Sequence, residues 1–304
     1  MNILITGSNG FIGGSLLKHI KTNNIFVDDH IVLLTSNNVN NFTCIEHKNY
    51  KFTRQDFYDK GIQAVDIVIH LGAFTPKNGK EADDIIKSTS NIVNTEYLIN
   101  NLPSLPKKFI FTSAIDVYGE CNTKITEDTI TIPKSLYGYS KLFCEKMLEI
   151  WAKNNGSTLQ ILRIGHIYGV GEELYRKIIP ETIRKVKNDE TPIIFSEGKE
   201  KRSYLNISDC CKLILNSIEK NEYYGPINIV SSNSISVSDI IDLIIKVSGK
   251  QIKPIKQINK LLQSHDSVFN NKKMHNLLGD DAISLFEGIS EEYKMFDERL
   301  ISKD

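Results

Sequence analysis

Residues 2–13 read NILITGSNGFIG, and this stretch decides the fold. Its first five residues have strand character, and a helical pattern begins at its end. Between them Gly7 permits a tight turn, Gly10 lets the backbone approach a pyrophosphate, and Gly13 lets the helix pack closely on the strand. The amides of the helix N-terminus then face the phosphates. Strand, turn and helix in this order predict a dinucleotide-binding turn.

Beyond this turn, short apolar runs alternate with helical patterns. Apolar runs without polar alternation are typical of strands that are covered on both faces. The predicted strands are 2–6, 31–35, 67–71, 109–113 and 159–164, and the predicted helices include 13–21, 82–101 and 139–154. We therefore predict an α/β fold, a Rossmann-type doubly wound parallel sheet with right-handed crossovers.

The strict alternation weakens after Tyr168, and residues 236–304 are mainly helical in pattern. We predict an NAD(P)-binding Rossmann domain over 1–167, with a later contribution from about 201–230. A smaller, mainly helical substrate-binding lobe is expected from 168–200 and 231–304. Ligands of such folds bind at the carboxyl edge of the sheet, so the lobe is expected to cover that edge.

Composition and charge argue against several classes of partner. The 304 residues include 37 basic and 37 acidic side chains, so no net field favours nucleic acid or an anionic membrane. No leader-like segment or membrane-length apolar run is visible, so we expect a cytoplasmic protein with neither of those partners. The five cysteines form no Cys-x-x-Cys unit and no cluster with histidine, which predicts reduced, mostly buried thiols and no metal site.

The end of the second predicted strand bears on the choice of dinucleotide. It reads Leu34-Thr35-Ser36-Asn37-Asn38, without the carboxylate that usually accepts hydrogen bonds from the adenosine ribose. Small polar groups leave room for a 2′-phosphate, although no arginine follows to bind it, so NADP is slightly favoured over NAD. Asp56 stands where a third strand would end, and it either contacts the adenine or is a solvated loop carboxylate.

Tyr137 and Lys141 are the candidate chemical centre. They are four residues apart on a predicted helix, so both side chains project from one face. An adjacent ammonium favours the phenolate, and lowering the pKa of a tyrosine by ~3 units requires ~4 kcal/mol. Tyr137 would then exchange a proton with a substrate oxygen while hydride moves to or from a nicotinamide. The spacing alone arises by chance, but the preceding strand ends in Thr112 and Ser113, whose hydroxyls could orient the same oxygen.

With these residues in place, the chain resembles the extended short-chain dehydrogenase/reductase family, in its branch of NAD-dependent sugar-nucleotide epimerases, dehydratases and reductases. The matching segments stand in family order over about two thirds of the chain. They are TGSNGFIG at 6–13, DIVIHLGAF at 66–74, Asn91 with Thr95, FIFTSAIDVYG at 109–119, YGYSK at 137–141, RIGHIYG at 163–169 and GKEKRSYLNISD at 198–209.

The resemblance implies a nucleoside-diphosphate-sugar substrate held by the C-terminal lobe, with Arg202 a candidate for its phosphates or ribose. It also implies a homodimer built on a helix bundle around Asn91 and Tyr137. The residues expected to contact the dinucleotide are Gly7, Asn9, Gly10, Phe11, Ile12, Gly13, Ser36, Asn37, Asp56, Phe57, Leu71, Gly72, Ala73, Asn91, Tyr137, Lys141 and Ile164.

Departures from the family pattern distinguish between reactions. The position of the family's catalytic Ser or Thr, three residues before the Val of the VYG motif, holds Ala114, so Ser113 or Thr112 would have to replace that hydroxyl. Dehydratases of the family carry an acid and a base in the next two positions, where this chain has Ile115 and Asp116, so dehydration is disfavoured. The family's usual Asn after Arg163 is replaced by His166, which either bonds the sugar or a phosphate or is a polar group satisfied in the cleft wall.

Three functions follow from these features. The favoured one is NAD(P)H-dependent reduction of a dTDP- or CDP-linked 4-keto-6-deoxyhexose in surface-polysaccharide biosynthesis, because a missing ribose carboxylate fits an exchangeable NADPH. The second is NAD-dependent 4-epimerisation of a nucleotide sugar. A non-catalytic NAD(P)-binding sensor is the third, and retention of both Tyr137 and Lys141 argues against it.

Overall fold

A computed structural model describes residues 1–121, 123–173, 175–258 and 265–296. Within these residues the main sheet has seven parallel strands in the spatial order β11-β6-β5-β4-β1-β2-β3. Its strands are β1 Asn2–Thr6, β2 His30–Thr35, β3 Thr43–Glu46, β4 Ile67–His70, β5 Lys108–Ala114, β6 Thr158–Ile164 and β11 Ile227–Ile229. Strand order reverses at β1, whose neighbours are β2 and β4, and the carboxyl ends of β1 and β4 open the crevice where ligands of such sheets bind.

Helices cover both faces of the sheet, because its strands are apolar on both faces. Ile3, Leu4 and Ile5 are all fully buried. One face packs against α1, α6 and α8, and the other against α2, α3 and α4. The helices are α1 Phe11–Thr22, α2 Arg54–Tyr58, α3 Ile85–Asn101, α4 Leu136–Asn155, α5 Ile178–Lys187, α6 Ile207–Asn216, α7 Val237–Ser248, α8 Lys272–Leu278 and α9 Leu285–Met295.

A third apolar cluster forms beside the sheet's carboxyl edge. It joins α5, α7 and α9 around residues such as Ile183, Ile244 and Ile289. Short strands pair here in three small sheets, in which β7 is parallel to β10, β12 antiparallel to β9, and β13 parallel to β8. They are β7 His166–Tyr168, β8 Ile193–Ile194, β9 Lys201–Arg202, β10 Tyr204–Asn206, β12 Ile235–Ser236 and β13 Ile255–Lys256.

The predicted α/β class and doubly wound parallel sheet are confirmed, with local corrections. The third strand is β3, well before Asp56, and Asp56 lies in α2 instead of at a strand end. The predicted helix 82–101 is divided into a 3₁₀ turn, Glu81–Asp83, and α3, because the side chain of Asp84 caps α3 by accepting from Lys87 N. The helix predicted over 139–154 begins earlier, at Leu136, and therefore includes Tyr137.

All five cysteines are free, and four of them are buried. Among the described residues, no helix is both long and apolar enough to cross a membrane.

Candidate active site

The turn between β1 and α1 has space that only glycine leaves open. Gly7 has φ +72°, and a Cβ there would lie 2.6 Å from Gly72 N. A Cβ on Gly13 would collide with the carbonyl oxygen of Gly7. Gly10 caps α1 without a side-chain bond, so the first amides of the helix remain available at the cleft wall. This cradle fits the pyrophosphate of a dinucleotide.

A cavity of about 290 Å³ adjoins the turn at the end of β2 and would take the adenosine half of the dinucleotide. Asn9 and Ser36, two of the predicted dinucleotide contacts, line it. The amide of Asn9 donates to Thr35 Oγ1 at 2.8 Å and so ties the turn to β2. Burial lowers the pKa of His47, which is therefore neutral at pH 7. The described lining has neither a carboxylate for the ribose nor a lysine or arginine for a 2′-phosphate.

Asp56 and Phe57 line neither this cavity nor the neighbouring cleft. The Asp56 carboxylate accepts from Thr53 N at 2.6 Å and from Thr53 Oγ1 at 2.9 Å, and closes a capping box at the start of α2. Phe57 is fully buried in the core. The structure therefore gives both residues local structural roles, which favours the solvated-carboxylate interpretation of Asp56.

Tyr137 and Lys141 lie together on the wall of a cleft of about 450 Å³ that the glycine turn also lines. Ser135 caps α4 by accepting from Gly138 N at 3.1 Å, which fixes the first turn that carries Tyr137. Lys141 Nζ donates to the carbonyl oxygen of Thr112 at 2.9 Å. Burial lowers the pKa of Lys141 to about 8. The two residues are thus brought to one site, as the sequence predicts.

The electrostatics of Tyr137 are opposite to the sequence-based expectation. Burial raises the pKa of Tyr137, nearby Asp116 raises it further, and a hydrogen bond with Thr75 opposes the rise. The phenol of the protein by itself is therefore protonated at neutral pH.

The two candidate hydroxyls have different surroundings. Thr112 Oγ1 donates to the carbonyl oxygen of His70 at 3.0 Å and is used within the sheet. Ser113 Oγ is buried without a hydrogen-bond partner among the described residues, and Ser113 lines the cleft beside Ala114. A buried unpaired hydroxyl is costly unless a ligand satisfies it, so Ser113 is the better replacement for the missing hydroxyl.

The far end of the cleft carries Asp116, His166, Tyr175 and Lys177. The Asp116 side chain is open to the cleft, but the protein around it raises its pKa by desolvation. Burial lowers the pKa of His166 to about 3, with Arg202 and Lys177 adding to the effect. His166 Nε2 is buried and has no partner in the described chain, so a neutral ring can accept from or donate to a ligand here.

Three further predicted contacts, Arg202, Asn91 and Asn37, lie outside the cleft wall. The Arg202 guanidinium donates to the backbone oxygens of Lys201, at 2.9 Å, and His265. Asn91 bonds both backbone groups of Phe74 and the hydroxyl of Ser140. Asn91 therefore positions the loop after β4 between the dinucleotide turn and α4. Asn37, by contrast, is exposed after the end of β2.

The remaining predicted dinucleotide contacts do line the cleft. These are Gly7, Gly10, Phe11, Ile12, Gly13, Leu71, Gly72, Ala73 and Ile164. Sequence reasoning missed Thr75, Pro76, Tyr175 and Lys177. A signal existed for Thr75 and Pro76, which directly follow the matched segment 66–74, whereas the loop that carries Tyr175 and Lys177 has no motif.

Comparisons with known proteins identify the family that the sequence motifs suggest. The model of the NAD-dependent epimerase/dehydratase family matches residues 3–229. A dTDP-D-glucose 4,6-dehydratase of Dictyostelium discoideum is 31% identical over 81% of this chain, which spans 62% of that enzyme. A dTDP-4-dehydro-6-deoxyglucose reductase of Escherichia coli is 29% identical over 80% of each chain. The solved UDP-glucuronic acid 4-epimerase of Bacillus cereus, with its substrate and NAD, is 26% identical with a TM-score of 0.81, over 97% of this chain and 98% of that one.

Proposed function

Because this chain belongs to the NAD-dependent epimerase/dehydratase family, we propose that it catalyses 4-epimerisation of a nucleoside-diphosphate hexose with a retained NAD. The observation that carries this choice is the packing of the C-terminal lobe on the dinucleotide turn. The ring of Tyr175 lies 6.1 Å from that of Phe11, and a Cβ on Gly171 would contact the Phe11 ring at 3.4 Å. A dinucleotide under this cover would leave slowly, which suits a cofactor that is reoxidised in place.

The chain's own residues supply the rest of the chemistry. A bound nicotinamide would supply reversible hydride transfer at C4 of the sugar. Tyr137 must act as a phenolate that accepts the proton of the C4 hydroxyl when hydride leaves C4, and it returns this proton when hydride comes back. Ser113 orients the C4 oxygen, and Lys141 holds the nicotinamide ribose and favours the phenolate. The 4-epimerase of Bacillus cereus with bound NAD supports this assignment by analogy.

Reduction of a nucleotide-linked 4-keto-6-deoxyhexose is the second candidate. It is favoured by the end of β2, where Thr35 and Ser36 replace the carboxylate that would hold the ribose of NAD. The lack of a lysine or arginine in the described lining of the same cavity weakens the case for NADPH, on which the sequence argument for reduction depends.

One experiment separates the two. Purified protein is denatured, the released dinucleotide is identified, and intact protein is then incubated with UDP-hexoses, or with 4-keto-6-deoxyhexose nucleotides and NADH or NADPH. Co-purified NAD and interconversion of 4-epimers without added cofactor support the epimerase. Stoichiometric oxidation of NADH or NADPH by a keto sugar, with no epimerisation, would replace it with the reductase.

Tyr137→Phe provides the matched chemical test. General acid–base groups contribute a factor of about 10²–10⁴ to the rate. Tyr137→Phe should therefore lower kcat by a factor in that range while dinucleotide binding persists. Full activity of Tyr137→Phe would remove the phenol from the mechanism of either reaction.

A further inference from the structure

Three glutamates with buried carboxyl groups lie where the C-terminal lobe meets the loop after β7. Glu172 and Glu292 are each 1% exposed and Glu173 is 6% exposed. Oε2 of Glu172, Oε2 of Glu173 and both carboxyl oxygens of Glu292 have no hydrogen-bond partner of ordinary geometry among the described residues. Burying several unpaired carboxylates is strongly unfavourable, so protons must be held within this cluster.

The groups that face the cluster leave most of its charge uncompensated. Lys177 Nζ lies 3.9 Å from Glu172 Oε2. The Tyr168 hydroxyl on β7 is buried without a partner in the described chain and interacts with both Glu172 and Glu292. The other titratable neighbours are Tyr175 in the loop, Tyr204 on β10 and Asp209 on α6.

Burial sets the protonation of these carboxyl groups. It raises the pKa of Glu172 to about 8, and Glu173 adds to the rise while Lys177 opposes it. Burial likewise raises the pKa of Glu292 well above its usual range, with Glu172 and Glu173 adding to it. Glu172 therefore holds its proton at neutral pH and loses it in mildly alkaline solution.

The cluster is directly connected to the cleft through a short segment, residues 169–173 and 175–177, which we name the site loop. Glu172 N donates to Gly169 O at 3.2 Å, and Tyr175 N donates to Glu172 O at 2.9 Å. Tyr175 packs near Phe11 and lines the cleft together with Lys177. The backbone of Glu172 thus fixes Tyr175, and its carboxyl group competes with the cleft for the ammonium of Lys177.

We propose that Glu172 and Glu292 are positioning residues, which fasten the site loop to α9 by sharing protons and so hold Tyr175 and Lys177 at the cleft. When Glu172 and Glu292 ionise, their like charges repel and Glu172 attracts Lys177 more strongly. The site loop then separates from α9, and the cover over the dinucleotide turn loosens. The inference rests on the proposed function only in taking this cleft as the place where substrate and dinucleotide bind.

Hydrogen exchange of the site loop at pH 6.5 and pH 9, corrected for the intrinsic rate, tests this inference without any turnover. Wild-type exchange should be roughly tenfold faster at pH 9, whereas exchange in Glu292→Gln and in Glu172→Gln should change less than about twofold, because each variant lacks one of the two charges that repel. The control is Glu291→Gln, an exposed neighbour on the same helix, which should behave as wild type.

Thermal unfolding gives a second measurement. Burial raises the pKa of Glu172 from 4.5 to about 8, so the folded protein should lose stability as pH rises over that interval, and Glu172→Gln should flatten the decline of Tm there. Wild-type pH dependence of loop exchange in both glutamine variants would overturn the inference. A protein whose loop responds as expected but which binds no dinucleotide would contradict the proposed function instead.

Discussion

Ser113 and Ala114 are adjacent at the end of β5. Ala114 occupies the position where the family has its catalytic Ser or Thr, and Ser113 precedes it. Ser113 Oγ is buried and unpaired in the described chain, and Ser113 lines the same cleft as Tyr137. A hydrogen bond to a charged or developing oxyanion is worth about 1.5–3 kcal/mol, so Ser113→Ala should lower kcat by roughly 10–100-fold. Steady-state kinetics give this value, and a fluorescence titration with NADH should show unchanged binding.

The neighbouring residue supplies the control for this prediction. Ser113→Ala combined with Ala114→Ser restores a hydroxyl at the family's position and should recover part of the lost kcat. Unchanged kcat in Ser113→Ala would show that its hydroxyl does not contact the reacting oxygen.

Single residues also show what sequence can and cannot predict. The i, i+4 spacing is enough to place Tyr137 beside Lys141, because helix geometry is local. The pKa of Tyr137 is raised by burial and by Asp116, which belongs to another segment of the chain. The spacing of Tyr137 and Lys141 therefore could not predict that the pKa rises. The error at Asp56 was avoidable, since Thr53-Arg54-Gln55-Asp56 has the pattern of a capping box.

At the scale of elements, we expect the contact of the site loop with α1 to govern how long a dinucleotide stays bound. An aromatic pair contributes about 0.5–1.5 kcal/mol, so Tyr175→Ala should speed dissociation of the dinucleotide roughly 2–12-fold. Stopped-flow displacement of bound NADH measures this rate. Tyr224→Ala, at a partly exposed position that lines a separate cavity, is the control and should leave the rate unchanged. Equal rates in all three proteins would show that the loop does not cover the dinucleotide.

The same scale explains which elements the sequence missed. The strands β1, β4, β5 and β6 are apolar runs without alternation and were predicted close to their observed bounds. The strand β3 has four residues with one exposed end, which is too short for periodicity to identify. The site loop takes its conformation from the glutamate cluster and from Phe11, which are distant in sequence, so no local pattern predicts that Tyr175 lines the cleft.

At the scale of the whole molecule, the sheet order places the turn, the ends of β4 and β5, and α4 around one crevice. Alternation of strands and helices predicted this arrangement, because right-handed crossovers leave few alternatives. The packing of the C-terminal lobe over the crevice depends on contacts between distant segments. The change of pattern after Tyr168 predicted a lobe over the sheet's carboxyl edge, and the family resemblance added the expectation that this lobe holds the substrate.

The outer faces of α3 and α4 suggest how two molecules would associate. Ile86 and Val93 on α3 and Phe143 and Ile150 on α4 are exposed by 81%, 54%, 54% and 64%. Large apolar patches on a soluble protein mark interaction surfaces, so we predict a symmetric dimer through these helices. Phe143→Glu with Ile150→Glu would bring like charges together across a twofold axis and should yield monomers in light scattering.

Ile130→Glu is the matched control, because Ile130 is 77% exposed but lies in a loop outside α3 and α4. That variant should remain dimeric. Because α4 also carries Tyr137 and Lys141, dimer formation should stabilise the catalytic helix, and the Tm of wild type should rise with protein concentration while that of the double variant should not. A wild-type protein that scatters as a monomer at tens of micromolar, with a concentration-independent Tm, would contradict the dimer and leave this apolar face for another partner.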